Sequence, residues 1–231
     1  MKDILSSTPA MLLLVIGSYF IGTLLYRRLR SAWLHPVAVS MVLVITTLLL
    51  LGIDYPTFKQ GTAFLDFLLG PSVVALGYLL YEQMAHLRGR EIIIFVATIV
   101  GGVVGIGGVF LLGHLFHLDE ALVASLQPKS ATMPIALPLS HQWGGIESVT
   151  AIVVFFTGLI GSLIGPWILD KCHITNPIAR GLALGSASHG IGTSRAIELG
   201  ALEGAVSGLA IGLTGVAISL LIPLFDWLLN L

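Results

Sequence analysis

The chain alternates between long apolar runs and short polar clusters, and run length sets the first expectation. A helix rising 1.5 Å per residue needs about 20 apolar residues to cross a hydrocarbon core about 30 Å thick. Leu34–Ile53, Ile92–Phe116, Ile146–Leu169 and Gly204–Leu229 meet that length, and their only ionisable residues, His35, His114, Glu147 and Asp226, lie near the ends. Pro9–Tyr26 is a fifth run, closed by Arg27, Arg28 and Arg30. Its cations follow the apolar stretch and Gly22–Tyr26 offers no small-x-small cleavage site, so it reads as an uncleaved anchor. Phe67–Met84 is a weaker sixth run, interrupted at Gly70-Pro71 and containing Glu82.

Two segments fit no plain helix. Gln127–Pro138 carries Pro128, Pro134 and Pro138 together with Lys129, Ser130 and Thr132 in an apolar setting. Proline removes a backbone donor and clashes with the preceding turn, so the stretch should break. Gly181–Glu198 is rich in Gly, Ser, Ala and Thr, and its ionisable residues are Arg195, Glu198 and His189. Irregular backbone at membrane depth is tolerated only where protein or water satisfies its polar groups. Both segments are therefore expected to be broken or re-entrant elements.

Composition turns these runs into a class. Of 231 residues, 56% are hydrophobic and 10% charged, with mean hydropathy +0.98. A soluble domain is about 25% charged. Net charge is -1 and the cations are scattered, which also argues against a nucleic-acid partner. The expectation is an all-α polytopic membrane protein with six to eight transmembrane helices in one membrane domain spanning 1–231. Cys172, the one cysteine, excludes an internal disulfide.

Lys and Arg concentrate in cytoplasmic loops. With the N-terminus outside and six crossings, Arg27, Arg28, Arg30, Arg88, Arg90, Lys171 and Arg180 fall inside, while Lys2 and Lys59 fall outside. At an offset of 116, Asp54 falls on Asp170, Glu82 on Glu198, and Pro9–Tyr26 on the proline-broken Ser125–Gln142. That order suggests repeats at 9–116 and 125–231, of the inverted-topology kind common in secondary transporters. A strict inversion needs an odd number of crossings per half, whereas the charges give four in the first. Either Phe67–Met84 is a hairpin that does not cross, or Ser125–Gln142 crosses differently.

The intramembrane polarity sits almost wholly in the two irregular segments. A bland account exists for each residue: small residues allow close packing, His189 could be a satisfied core residue, Lys129 could snorkel, and Arg195 and Glu198, three apart, could form a structural ion pair with Glu82 as the counterpart of Glu198. Their concentration where helices break favours a binding site instead. A monocarboxylate needs hydrogen-bond donors and a cation, which Lys129, Ser130 and Thr132 can supply from one segment. Ser188, His189, Gly190, Gly192, Thr193 and Arg195 can supply them from the other. His189 adds the option of proton coupling. No cofactor or metal motif is legible: His114 and His117 are three apart, with only Asp119 as a nearby carboxylate. Ser188 and His189 are adjacent, so they do not face each other on a helix, and no enzyme is expected.

The motifs Pro128–Ala136 and Gly185–Thr193 resemble the two signatures of the LrgB/CidB family, and Leu34-His35-Pro36 and Pro71–Gln83 resemble it too, so the likeness covers essentially the whole chain. Ala131 and Met133 stand where many members carry Val and Thr. The resemblance implies two functions. Bacterial members are described as holin- or antiholin-like proteins that modulate murein hydrolase activity and lysis with a small LrgA/CidA-type membrane partner. A plant plastid relative resembles a glycolate/glycerate translocator, and some bacterial members are linked to pyruvate movement. The plant protein fuses an LrgA-like part that is lacking here, so a separate partner is expected. The preferred expectation is a carrier of small carboxylates such as glycolate, glycerate, lactate or pyruvate, in a bacterial inner membrane and as a homo-oligomer; the alternative is the holin-like role.

Overall fold

A computed structural model describes residues 7–29, 34–84 and 89–229. Among them there is no strand. The helices are α1 (Thr8–Leu29), α2 (Pro36–Leu51), α3 (Tyr55–Gly61), α4 (Ala63–Met84), α5 (Glu91–Leu115), α6 (Glu120–Leu126), α7 (Met133–Gln142), α8 (Glu147–Lys171), α9 (Pro177–Leu199) and α10 (Ala201–Leu229). Four of these, α1, α5, α8 and α10, are long and apolar enough to cross a bilayer, and α2 and the start of α4 are shorter apolar helices. The chain is a polytopic all-α membrane protein. Gly70-Pro71 does not interrupt the sixth run: α4 continues through Pro71.

The chain divides into two compact units, Met1–Pro71 and Ser72–Leu231. In the first, α1 and α2 pack closely because Gly22 has no side chain to strike the Pro36 backbone, and Tyr26 tilts against His35. Pro36 opens α2, where its missing N–H costs nothing, and Gly52 closes it in the left-handed conformation. Gly61 at the end of α3 leaves room for Met11 of α1.

In the second unit α5 and α10 lie side by side. Ile94 clusters with Val206 and Leu209, Gly102 faces Leu221, and Phe110 stacks on Phe225 at 5.8 Å. Residue numbers rise together along that seam, so the two helices run in the same direction. They are counterparts at the offset of 116, and an inverted repeat requires them to oppose; the strict inversion does not hold for this pair.

The reason is visible in the two irregular segments. Thr150 Oγ1 lies 3.0 Å from the Ser125 carbonyl and 2.6 Å from Ser140 Oγ. Residues near the ends of α6 and α7 therefore meet at one hydroxyl of α8, so the chain reverses between them. The descending arm continues past α6 as turns, with Lys129 N donating to Leu126 O and Ala131 N to Pro128 O. Thr132 then turns extended, and α7 climbs back with Pro134 in its first turn. The segment is a re-entrant hairpin with its tip at 129–132, and it does not cross.

Helix α9 does the same. His189 has φ 40° and ψ -134°, a break inside the helical run. Gly181 touches the Glu203 carbonyl while Ile197 touches Gly204; Gly185 touches the Ser207 carbonyl while Thr193 Oγ1 meets Ser207 Oγ. Residues eight before and eight after His189 thus meet the same level of α10. The two arms are antiparallel, with Gly192 against the Leu184 carbonyl. This hairpin enters between the end of α8 and the start of α10, the first between the end of α5 and the start of α8. They enter from opposite ends.

Glycine makes the second hairpin, and one pair of substitutions tests it. Gly185→Ala places a methyl against the unyielding Ser207 backbone and should cost about 1–3 kcal/mol. Gly190→Ala enters open space and should be neutral or stabilising by up to about 1 kcal/mol. Thermal unfolding of the detergent-solubilised protein separates the two.

Candidate functional site

The hairpin tips meet near the middle of the spanning helices. A cavity of about 550 Å³ there is lined by Lys129 and Ser130 from the first tip, Ser186 and Ala187 from the second, Gly101 and Gly105 of α5, and Thr214 of α10. Gly101 and Gly105 are central in α5, and Thr214 is central in α10. Room for Lys129 comes from α5: a Cβ on Gly105 would lie 3.6 Å from Nζ.

Lys129 is partly buried, and its ammonium donates only a long hydrogen bond, 3.5 Å to Ser130 Oγ. Among the described residues no carboxylate pairs with it; the ion pairs are Arg180–Asp170 and Arg195–Glu198. Burying a charge without a partner is costly, by several kcal/mol even after relaxation (about that order). Three residues of the same walls also carry a buried polar atom without a partner: Gln127 Oε1, Ser186 Oγ and Thr214 Oγ1. A cation with three unmatched hydrogen-bonding groups is an environment suited to a small anion bearing further oxygen atoms.

The rest of the architecture fixes those tips. Ser125, Ser140 and Thr150 are fully buried and join α6, α7 and α8 through hydroxyls, and Ser125 Oγ accepts from Ile146 N at 2.7 Å. Ala131 at the first tip is embedded among Ile106, Val154, Ile218 and Ile222. His189 is buried, and its Nε2 lies 2.9 Å from the Val154 carbonyl. Gly158 and Gly161 of α8 clear space for the His189 ring and for Ser188.

The nine residues expected to bind from sequence divide into two groups. Lys129 and Ser130 line the cavity. Thr132 Oγ1 is buried without a partner beside them, at the N-cap of α7. Neither Thr132 nor the other six residues line it. Ser188 faces Gly161 and an apolar groove along α8, and its Oγ is unpartnered. His189 is turned to α8. Gly190 is open to space, and Gly192 is packed into the hairpin. Thr193 is committed to the His189 carbonyl and Ser207. Arg195 is corrected from donor to surface partner: its Nη1 lies 2.6 Å from Glu198 Oε2, and both side chains are exposed. An ion pair three residues apart on one face accounts for both. Glu82 falls in α4, outside the residues whose side chains are described.

Sequence reasoning missed Gln127, Ser186 and Thr214. Ser186 sits inside the Gly185–Thr193 motif, and Thr214 is a lone hydroxyl flanked by Leu213 and Gly215 in an apolar run. The Gly101-Gly102-Gly105 cluster was the available signal for a void in α5.

A family model described as LrgB-like family matches residues 15–228. The chain is 35% identical to the antiholin-like protein LrgB of Bacillus subtilis over 93% of this chain and 94% of that protein. It is 32% identical to the holin-like protein CidB of Staphylococcus aureus strain N315, over 92% and 93% of the two chains. A third relative, the B. subtilis protein YxaC, is 33% identical over 95% and 96%. No solved structure matches the chain significantly.

The hinge at His189 makes its own prediction. A positive φ with ψ -134° lies outside the left-handed helical region, disfavours β-branched side chains and is readily adopted only by glycine. His189→Val should lower the thermal midpoint well below that of His189→Gly, by about 1–3 kcal/mol of backbone strain, although both lose the ring's contact with Val154.

Proposed function

The chain belongs to the LrgB-like family, and from that premise we propose that it is a membrane carrier of small monocarboxylates of the glycolate, glycerate, lactate or pyruvate kind. The observation that carries this reading is Lys129: a mid-depth ammonium lining a cavity, with no carboxylate among the described residues paired to it. Lys129 supplies the charge, Ser130 and Ser186 donate from opposite tips, and Thr214 and Gln127 hold the ligand's remaining oxygen atoms. Thr132 steadies the first tip, and Ser188, His189, Gly190, Gly192 and Thr193 build and hinge the second.

Two hairpins entering from opposite ends suit alternating access, because either tip can withdraw while the other holds the ligand. Proton coupling through His189 is an added part of the proposal, with the ring acting on the hinge rather than on the ligand. In the second unit Arg90, Lys171, Arg180 and Arg195 gather at the end formed by the start of α5, the end of α8 and the base of α9. The opposite end carries Asp119, Glu120, Glu147 and Asp226 and, among the described residues, no Lys or Arg. The positive-inside rule puts the first end in the cytoplasm, which accords with an outside N-terminus in a bacterial inner membrane. A small LrgA/CidA-type membrane protein and a second copy of the chain are the partners we propose.

The names of the relatives, antiholin-like and holin-like, favour a second reading, a holin- or antiholin-like membrane protein, for which the role we would propose is modulation of murein hydrolase activity and lysis. The two are compatible if altered carboxylate or proton flux is what the lytic system senses. A lipid-lined pore formed by oligomerisation has no use for a cavity at mid-depth lined by one lysine.

Reconstitution in liposomes with labelled glycolate, lactate and pyruvate, with and without a pH gradient, is the test. Uptake no greater than in empty vesicles overturns the carrier reading. Lys129→Met should cut uptake by at least about tenfold while the thermal midpoint stays level or rises, since replacing a buried ion by an apolar side chain is often neutral or stabilising. Arg195→Gln should keep uptake within about twofold, as expected for an exposed ion pair.

A further inference from the structure

A second cavity, of about 490 Å³, opens at the acidic end of the second unit. Its walls include Phe110, His114, His117, Glu120, Trp143 and Asp226. One residue lines both this vestibule and the Lys129 cavity: Gln127.

Its position is fixed from both sides. Gln127 caps α6, its backbone N–H donating to the Val123 carbonyl at 3.0 Å, and the next residue, Pro128, is almost fully buried and locks the turn. The backbone cannot swing freely, but the straight side chain can change rotamer. Gln127 is 5% exposed, and its Oε1 has no hydrogen-bond partner. Trp143 Nε1, on the vestibule wall, is unpartnered as well. One acceptor on Gln127 and one donor on Trp143 are thus buried and unused, and a change of the Gln127 rotamer would be needed to turn its amide toward either cavity. A primary amide both donates and accepts, so it can exchange hydrogen bonds with a carboxylate and with a hydroxyl as each goes by. Being neutral, it offers no charge that would hold an anion short of Lys129.

We propose that Gln127 is the selectivity gate between the outer vestibule and the Lys129 cavity, and that solute passes between the acidic end and Lys129 along this side chain. The inference rests on the carrier reading above and adds the route and the residue that controls it.

The passage can be probed without knowing the ligand. In sealed vesicles bearing Cys172→Ser and Ser130→Cys, a small impermeant anionic thiosulfonate applied at the acidic end should react with the cavity thiol. Gln127→Ala should speed that reaction, and Gln127→Phe should slow it by about tenfold, as expected where one side chain gates access. Glycolate binding to the detergent-solubilised wild type is measured in parallel. Unchanged thiol rates in both Gln127 variants overturn the gate, whatever the binding result. Gln127-dependent rates without glycolate binding support the passage and overturn the substrate reading. The two variants act in opposite directions, so a loss common to both that spares neither rate nor solubility also counts against the gate.

Discussion

The ammonium of Lys129 constrains the rest of the second unit. A cation among apolar helices is stable only if the backbone around it is irregular, the walls are polar, or an anion joins it. The chain meets these conditions at once. Pro128 and Pro134 prevent a helix from sealing the lysine against its own carbonyls, Gly105 leaves the space into which Nζ extends, and Ser186 and Thr214 bring hydroxyls from two other elements. Among the described residues no carboxylate completes the set. A packed structural lysine would have a partner, as Arg180 has Asp170 and Arg195 has Glu198; its absence at Lys129 is what makes a bound anion the economical account.

The two hairpins follow from different chemistry and reach the same depth. The first is made by proline and held by the hydroxyls of Ser125, Ser140 and Thr150, which keep its arms together. The second is made by glycine: Gly181, Gly185 and Gly192 let two helical arms and α10 touch backbone to backbone, and a single residue, His189, takes the whole reversal. Small residues allow such contact where apolar solvent gives no drive for helices to associate. Because each hairpin returns to the end it entered from, α5 and α10 run the same way, and an order of elements that repeats in sequence does not repeat as an inversion in this pair.

Most of the fold was legible from run length. Three of the four long runs became α5, α8 and α10, the fourth, Leu34–Ile53, shortened to α2, and the fifth run, Pro9–Tyr26, became α1. The breaks were legible too, at the prolines of 128–138 and the small residues of 181–198. What sequence could not give was direction. Whether a broken segment crosses or returns depends on tertiary hydroxyl and glycine contacts, such as Thr150 with Ser125 and Ser140, that lie 10 and 25 residues apart. The same limit explains the site. Lys129 and Ser130 were singled out because a lysine in an apolar setting is conspicuous, and both line the cavity. Arg195 was conspicuous for the same reason, but its partner sits one turn away and the pair faces outward. Thr214 looked like one hydroxyl in a spanning run, and only the register of α10 against the tips gives it a cavity to line.

Charge distribution links the site to the whole second unit. Among the described residues its cations other than Lys129 collect at one end, and the other end is acidic with three histidines, His114, His117 and His141. An anion approaching the acidic end meets repulsion that a second negative charge would double, because Coulomb energy scales with the product of charges. A mouth of that sign disfavours dianions more than monoanions, and a single ammonium at mid-depth balances one negative charge and no more. Under the proposed carrier function, entrance and cavity would therefore act toward the same charge state by opposite means, repulsion outside and attraction within. Two features built from unrelated residues thus lend support to the proposal of a singly charged solute.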